Sequence, residues 1–122
     1  MFKVLAVDDD LHVQKLISAN LKASGYRVIT AASGEEGLEK AVETQPDVIL
    51  LDIRMPGISG WDTLKAIRAN RKLAAVPVVI ISASVSERDE FKMREHDAAG
   101  WLAKPFSAEE LLNEVKRVLR EK

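Results

Sequence analysis

An open, doubly wound α/β sheet of five strand-helix units, in strand order 2-1-3-4-5, is the architecture this sequence predicts. Short apolar runs alternate with segments of helical period along the whole chain. The runs at 48–51 and 78–81 are continuously apolar, as in strands buried on both faces of a parallel sheet. Polar residues close these runs, with Asp8 and Asp9 after the first, Asp52 after the third, Ser82 after the fourth and Lys104 after the fifth.

Each element has its own signal. Lys3–Val7 is the first run, and Asp10 stands as N-cap to a helix whose stripe is Val13, Leu16, Ile17, Asn20 and Leu21, with Gly25 as its stop. Residues 26–31 form a β-rich run. Ser33 and Glu36 form a capping box for a second helix with Leu38, Ala41 and Val42 inward, ended by Pro46. The run 48–51 leads into Asp52 and breaks at Met55, Pro56 and Gly57. A third helix after Gly60 uses Trp61, Leu64, Ile67 and Arg68, and Pro77 precedes the run Val78–Ser82. The fourth helix, 87–96, carries almost no large apolar residue except Phe91 and Met93, and is expected to be the least stable. A last strand, 100–104, stops at Pro105. Ser107 and Glu110 box the final helix, whose face is Leu111, Leu112, Val115, Val118 and Leu119. Successive strands joined through helices must run parallel, with helices on both faces, and five units are too few for an eight-fold barrel.

Composition sets the outer bounds. The 122 residues predict one domain able to bury a core without staples. Eighteen basic against 19 acidic residues give a net charge of -1, which removes any charge argument for nucleic acid or an anionic membrane. The absence of cysteine excludes disulfides and thiolate metal sites. No secretory signal or membrane-length run is visible, so a cytoplasmic protein is expected.

In such a sheet the carboxyl ends of strands one, three, four and five lie side by side, and ligands bind there. Asp8, Asp9, Asp52, Ser82 and Lys104 would share one cleft. Like charges at close range cost several kcal/mol each at an effective dielectric of about 20. Either carboxyl pKa values rise, or a divalent cation sits among them. An all-oxygen donor set points to Mg²⁺. Taken singly, Asp8, Asp9 and Asp10 fit helix-capping acids, a strand-end serine fits a turn, and a lysine before proline fits solvated surface. Their joint placement at strand carboxyl ends does not fit those readings. Asp52, closing a strongly apolar strand, must find a partner or reach solvent.

Val7-Asp8-Asp9-Asp10, Leu51-Asp52-Ile53-Arg54-Met55-Pro56-Gly57, Ile81-Ser82-Ala83 and Leu102-Ala103-Lys104-Pro105-Phe106 together resemble the receiver domain of two-component response regulators, chemotaxis regulators included. The resemblance covers the whole chain, in order and spacing. It implies the flavodoxin-like (βα)5 fold and a single receiver domain over 1–122, with no output domain in this chain. It implies that Asp52 is a phosphoacceptor, a carboxylate nucleophile charged from the phosphohistidine of a sensor histidine kinase or of a histidine phosphotransfer protein. Asp9, Asp52 and the backbone carbonyl of Arg54 become direct ligands of Mg²⁺ (with Mn²⁺ as substitute), and Asp8 a ligand through water. Lys104 and Ser82 become donors to the phosphoryl oxygens. Ser82 and Trp101 become the switch pair, and the output surface falls on the fourth helix, fifth strand and fifth helix, facing an unnamed output protein or domain. Such a chain is a signalling domain, not an enzyme in the usual sense. Neither direct nucleic-acid contact nor a membrane is implied.

Four positions depart from the family's usual pattern. Trp101 stands where Tyr, Phe or His is commoner, Ser82 where Thr is usual, and Asp97 where Gly usually follows the fourth helix. Arg54, two residues after the acceptor, is near the path of an attacking water and is expected to modulate phosphoryl lifetime. Trp61 fits core packing, and the isolated His12 and His96 fit the surface. Three rivals share parts of the pattern. A haloacid-dehalogenase-type phosphotransferase wants an acid where Arg54 stands. A flavodoxin-type flavin site wants a hydroxyl-rich phosphate loop where Asp8, Asp9 and Asp10 stand. A phosphorylation-independent interaction module would have no use for the full residue set found here.

Overall fold

The structure is a computed structural model that describes residues 1–83 and 85–120. Five strands and five helices alternate, β1(Lys3–Val7), α1(Leu11–Ala23), β2(Arg27–Ala31), α2(Gly34–Thr44), β3(Val48–Asp52), α3(Gly60–Ala69), β4(Val78–Ser82), α4(Glu87–Glu95), β5(Gly100–Ala103) and α5(Ala108–Arg120). All neighbouring strands are parallel, in the order β2-β1-β3-β4-β5. The expected architecture is therefore the observed one. Glu121 and Lys122, at the end of the sequence, lie outside the described residues.

Period-two geometry splits the core into two layers. Val4, Ala6, Val48, Leu50, Val79 and Ile81 pack with Ile17 and Leu21 of α1 and with Leu111, Val115 and Val118 of α5. Leu5, Val7, Ile49, Leu51, Val78 and Ile80 pack with Ala41 of α2 and with Trp61, Leu64 and Ile67 of α3. β3 and β4 are buried along their whole length. That explains their unbroken apolar runs, since both faces are covered.

Most helix starts follow the expected chemistry. Asp10 caps α1 through the His12 N–H, and Ser107 and Glu110 form the reciprocal box of α5. Ser33 caps α2 by accepting from the Glu36 N–H, but the Glu36 carboxylate accepts from Ala32 N–H, one residue further back than a box requires. Two stripe residues are also corrected. Val42 is exposed, and the packed face of α2 is Gly34, Gly37 and Ala41, because α2 sits so close that a Cβ on Gly37 would lie 2.8 Å from Val7. Leu16 of α1 is exposed as well, and Ile17 and Leu21 are the buried residues of that helix.

Candidate functional site

The site lies at the carboxyl ends of β1, β3, β4 and β5. Asp8 follows β1 immediately and is buried, with its backbone N–H donating to Ala31 O at 3.0 Å as the ladder to β2 ends. The Gln14 side chain donates to Asp8 O (2.7 Å) and Ala31 O (3.2 Å), fixing the turn from α1. The turn then folds back so that Asp10 N–H donates to Asp8 Oδ1 at 2.9 Å. Asp9, between them, is exposed.

Asp52 ends β3 and is buried. Its Oδ1 accepts from Arg54 N–H at 2.9 Å, and its Oδ2 lies 3.2 Å from Lys104 Nζ. Lys104 is placed by its own backbone, whose N–H donates to Ser82 O at 2.9 Å and so joins the ends of β5 and β4. Its ammonium reaches across to Asp8 Oδ2 at 2.8 Å as well as to Asp52. Ser82 is buried at the end of β4, in register with Ala103. One carboxylate oxygen each from Asp8, Asp9 and Asp52 lies within 4.8 Å of the others.

Charge in this cluster is unbalanced, as three carboxylates face one ammonium. Burial pushes the Asp8 carboxyl up, and the Asp52 charge adds to that. The bonds from Lys104 and Asp10 N–H only partly oppose it. Burial also pulls the Lys104 ammonium down, but the bonds and charges of Asp8 and Asp52 outweigh it and hold Lys104 above its ordinary range. Asp8 Oδ2 is buried and is met by the lysine ammonium at 2.8 Å. A buried carboxylate oxygen met in this way, inside a cluster made only of hard oxygens, suits a small divalent cation.

Three supporting residues carry no obvious signal in the sequence. Gln14 is one. Gly60 is the second: its N–H donates to Ile53 O at 3.2 Å, and a Cβ there would overlap Ile53 Cα and lie 2.6 Å from the Asp52 carbonyl oxygen. Only glycine lets α3 start against the backbone of the acid. Asp89 is the third. It is buried on α4 and accepts from Trp61 Nε1 at 3.2 Å and from Arg54 Nη2 at 3.1 Å. Trp61 is thus core packing with a polar tip, as is usual for a buried indole.

The other singled-out residues fall as follows. Trp101 is 43% exposed on β5, three residues before Lys104. The Arg54 side chain is 60% exposed and turned to α4. Asp97 takes φ 55°, the left-handed corner expected where glycine is usual. His12 is exposed, whereas His96 is half-buried as the C-cap of α4.

Residues 4–116 match the family described as response regulator receiver domain. The chain is 42% identical over 118 residues to the transcriptional regulatory protein PrrA of Mycobacterium tuberculosis, covering 97% of this chain and 50% of that protein. It is 38% identical over 118 residues to the alkaline phosphatase synthesis transcriptional regulatory protein PhoP of Bacillus subtilis, covering 97% and 48%. The chain thus spans about half the length of these curated relatives. Among solved structures, the chemotaxis protein CheY4 of Vibrio cholerae superposes with a TM-score of 0.94 at 39% identity, covering 98% of this chain and 99% of that one. No helix among the described residues is long and apolar enough to cross a membrane.

Proposed function

The chain belongs to the response regulator receiver domains of two-component systems, and from that premise we propose that it takes a phosphoryl group on Asp52 and passes the change to a partner surface. The observation that carries the reading is the convergence of Asp8, Asp9 and Asp52 oxygens within 4.8 Å, with Lys104 bridging Asp8 and Asp52. In the transfer, an Asp52 carboxylate oxygen forms a bond to phosphorus while the phosphorus-nitrogen bond of a phosphohistidine breaks, and the imidazole leaves with its electron pair and picks up a proton from water. Lys104, held above its ordinary pKa, stays charged and neutralises the transferring oxygens in a loose transition state. Ser82 offers its hydroxyl to a further oxygen. The Arg54 N–H keeps Asp52 oriented.

Asp9 and Asp52, with the Arg54 carbonyl, would hold Mg²⁺ (or Mn²⁺) directly, and Asp8 would hold it through water. When bound, that ion supplies charge neutralisation for the phosphoryl group. The donor is a sensor histidine kinase or a histidine phosphotransfer protein. The output runs from Ser82 to Trp101: inward movement of the hydroxyl opens space behind it, and the exposed indole turns in, altering the face made by α4, β5 and α5. That face meets an output protein or domain. Arg54, beside the acceptor, tunes how long the phosphoryl group persists, and replacing it with a neutral side chain is expected to change the dephosphorylation rate several-fold.

The test is modification by acetyl phosphate or phosphoramidate, followed by intact-mass measurement, with Mg²⁺ and with chelator, for the wild type and Asp52→Asn. One phosphoryl group added to the wild type in Mg²⁺ only, and none on the variant, is the expected result. Equal modification of the variant, or none on the wild type, overturns the reading.

A further inference from the structure

α4 is held to the rest of the molecule differently at its two ends. Its only fully buried residue is a charged one, Asp89. Met93 packs partly against the α2/α3 layer, and Phe91 is 57% exposed. Apolar burial therefore does little to fix this helix.

At the carboxyl end the hold is a staple. The Arg68 guanidinium on α3 donates to His96 O (3.0 Å) and Asp97 O (2.9 Å) at the corner after α4, and to Val76 O (2.8 Å) and Ala74 O (3.3 Å) before β4. All four acceptors are backbone carbonyls, and an anion elsewhere does not displace them. Ala99 N–H, donating to Val78 O at 2.8 Å, ties the same corner into the sheet.

At the amino end the hold is an ion pair. Ser86 N–H and Oγ–H both donate to Asp89 Oδ2 at 3.0 Å, a local cap that α4 carries with it. Arg54 and Trp61, 35 and 28 residues away in sequence, connect that cap to the body of the domain. Arg54 is also bound to Asp52 through its backbone N–H. One residue therefore touches the acceptor with its main chain and α4 with its side chain. That side chain is mostly exposed, so packing does not fix its direction. A phosphoryl group carries up to two negative charges and three strong acceptor oxygens, and a guanidinium fork pairs with such a group more tightly than with a single carboxylate oxygen.

We propose that Arg54 and Asp89 form a latch: a phosphoryl group on Asp52 draws the Arg54 guanidinium off Asp89, and the first turn of α4, released from the acceptor loop, moves about its Arg68-stapled end. This rests on Asp52 as acceptor and deepens it with a second route to α4, separate from Ser82 and Trp101. Asp89 acts here as a positioning residue for Arg54.

The Trp61 indole N–H donates to Asp89 and so reports the latch directly. The experiment is ¹⁵N NMR of the full chain with Mg²⁺ and beryllofluoride as the phosphoryl mimic, the two indole signals being assigned with Trp101→Phe. The amides of Ile53 and Ala83 report occupancy of the site. At saturation the wild-type Trp61 indole is expected to shift, and the Asp89 and Glu90 amides to exchange about tenfold faster, the factor for one charge-assisted bond. In Arg54→Met, an exposed change that spares the core, both signals start at their released values and the mimic moves them no further. Arg54→Lys, keeping the charge, restores part of the response. If Ile53 and Ala83 respond in the wild type but Trp61 and the first turn of α4 do not, the latch is wrong and the acceptor reading stands. The latch is equally wrong if Arg54→Met keeps the full mimic-induced change. If Ile53 and Ala83 also fail to respond and Asp52 is not modified, the acceptor reading has failed and the latch falls with it.

Discussion

Asp8 and Gly60 show how single residues are held against their own preference. Asp8 is buried beside Asp52, and burial keeps its carboxyl above the ordinary 3.8. A carboxyl raised in the folded state binds protons more readily there than in the unfolded chain, so its charge works against folding once the pH exceeds the raised value. In metal-free buffer at pH 7, Asp8→Asn is therefore expected to raise the urea midpoint while weakening Mg²⁺ binding; a lower midpoint would contradict this account. Gly60 is set by space. Alanine is the better helix former, but its methyl would press on Ile53 and the Asp52 carbonyl. Gly60→Ala is expected to cost about 1–3 kcal/mol by overpacking, read from denaturant unfolding.

The elements differ in how far the sequence revealed them. Strand ends were legible because a polar residue closing an apolar run has few explanations, and the caps Asp10, Ser33 and Ser107 were legible because their partners lie within three residues. The ties of α4 were not. Asp89 stands in the first turn of α4 and closes the box with its cap Ser86, a local role. Nothing local says that an arginine 35 residues back shares it. Val42 was misplaced because the width of a packed face depends on how closely its helix approaches the sheet, and Leu16 lies beyond the buried pair Ile17 and Leu21 of α1. Two predictions belong at this level. Arg68→Met strips donors from four carbonyls and is expected to cost about 2 kcal/mol, with faster amide exchange at residues 96–99. Asp89, bonded first by Ser86 N–H and then by the Ser86 hydroxyl, Trp61 and Arg54, is held below its ordinary 3.8 although burial opposes this. The stability it adds is present above the ordinary carboxylate value and is lost as pH falls through its lower folded value, so wild type and Asp89→Asn should converge in urea midpoint as the pH is lowered through that range.

For the molecule as a whole, the unbalanced charge at the site would tie folding to the proposed metal. A cation that binds only the folded cluster raises stability by RT ln(1 + [L]/Kd), about 2.7 kcal/mol at a hundredfold excess over Kd. Mg²⁺ is expected to raise the wild-type Tm, and Asp9→Asn to lose most of that increment; equal increments would remove Asp9 from the metal site. The sheet itself has a further consequence. Even-numbered residues of β3 and β4's odd-numbered ones belong to the α1/α5 layer, and their immediate neighbours to the α2/α3 layer. The backbone between them works as a bulkhead. A void opened on one side has no neighbour on the other that can lean in to fill it. Leu51 and Ile80, register partners in one layer, should therefore repair or aggravate each other's substitutions, whereas Leu50 and Leu51, adjacent in sequence, should vary almost independently. The two halves of this small core are free to drift apart in sequence while the row of side chains along the sheet's rim stays aligned.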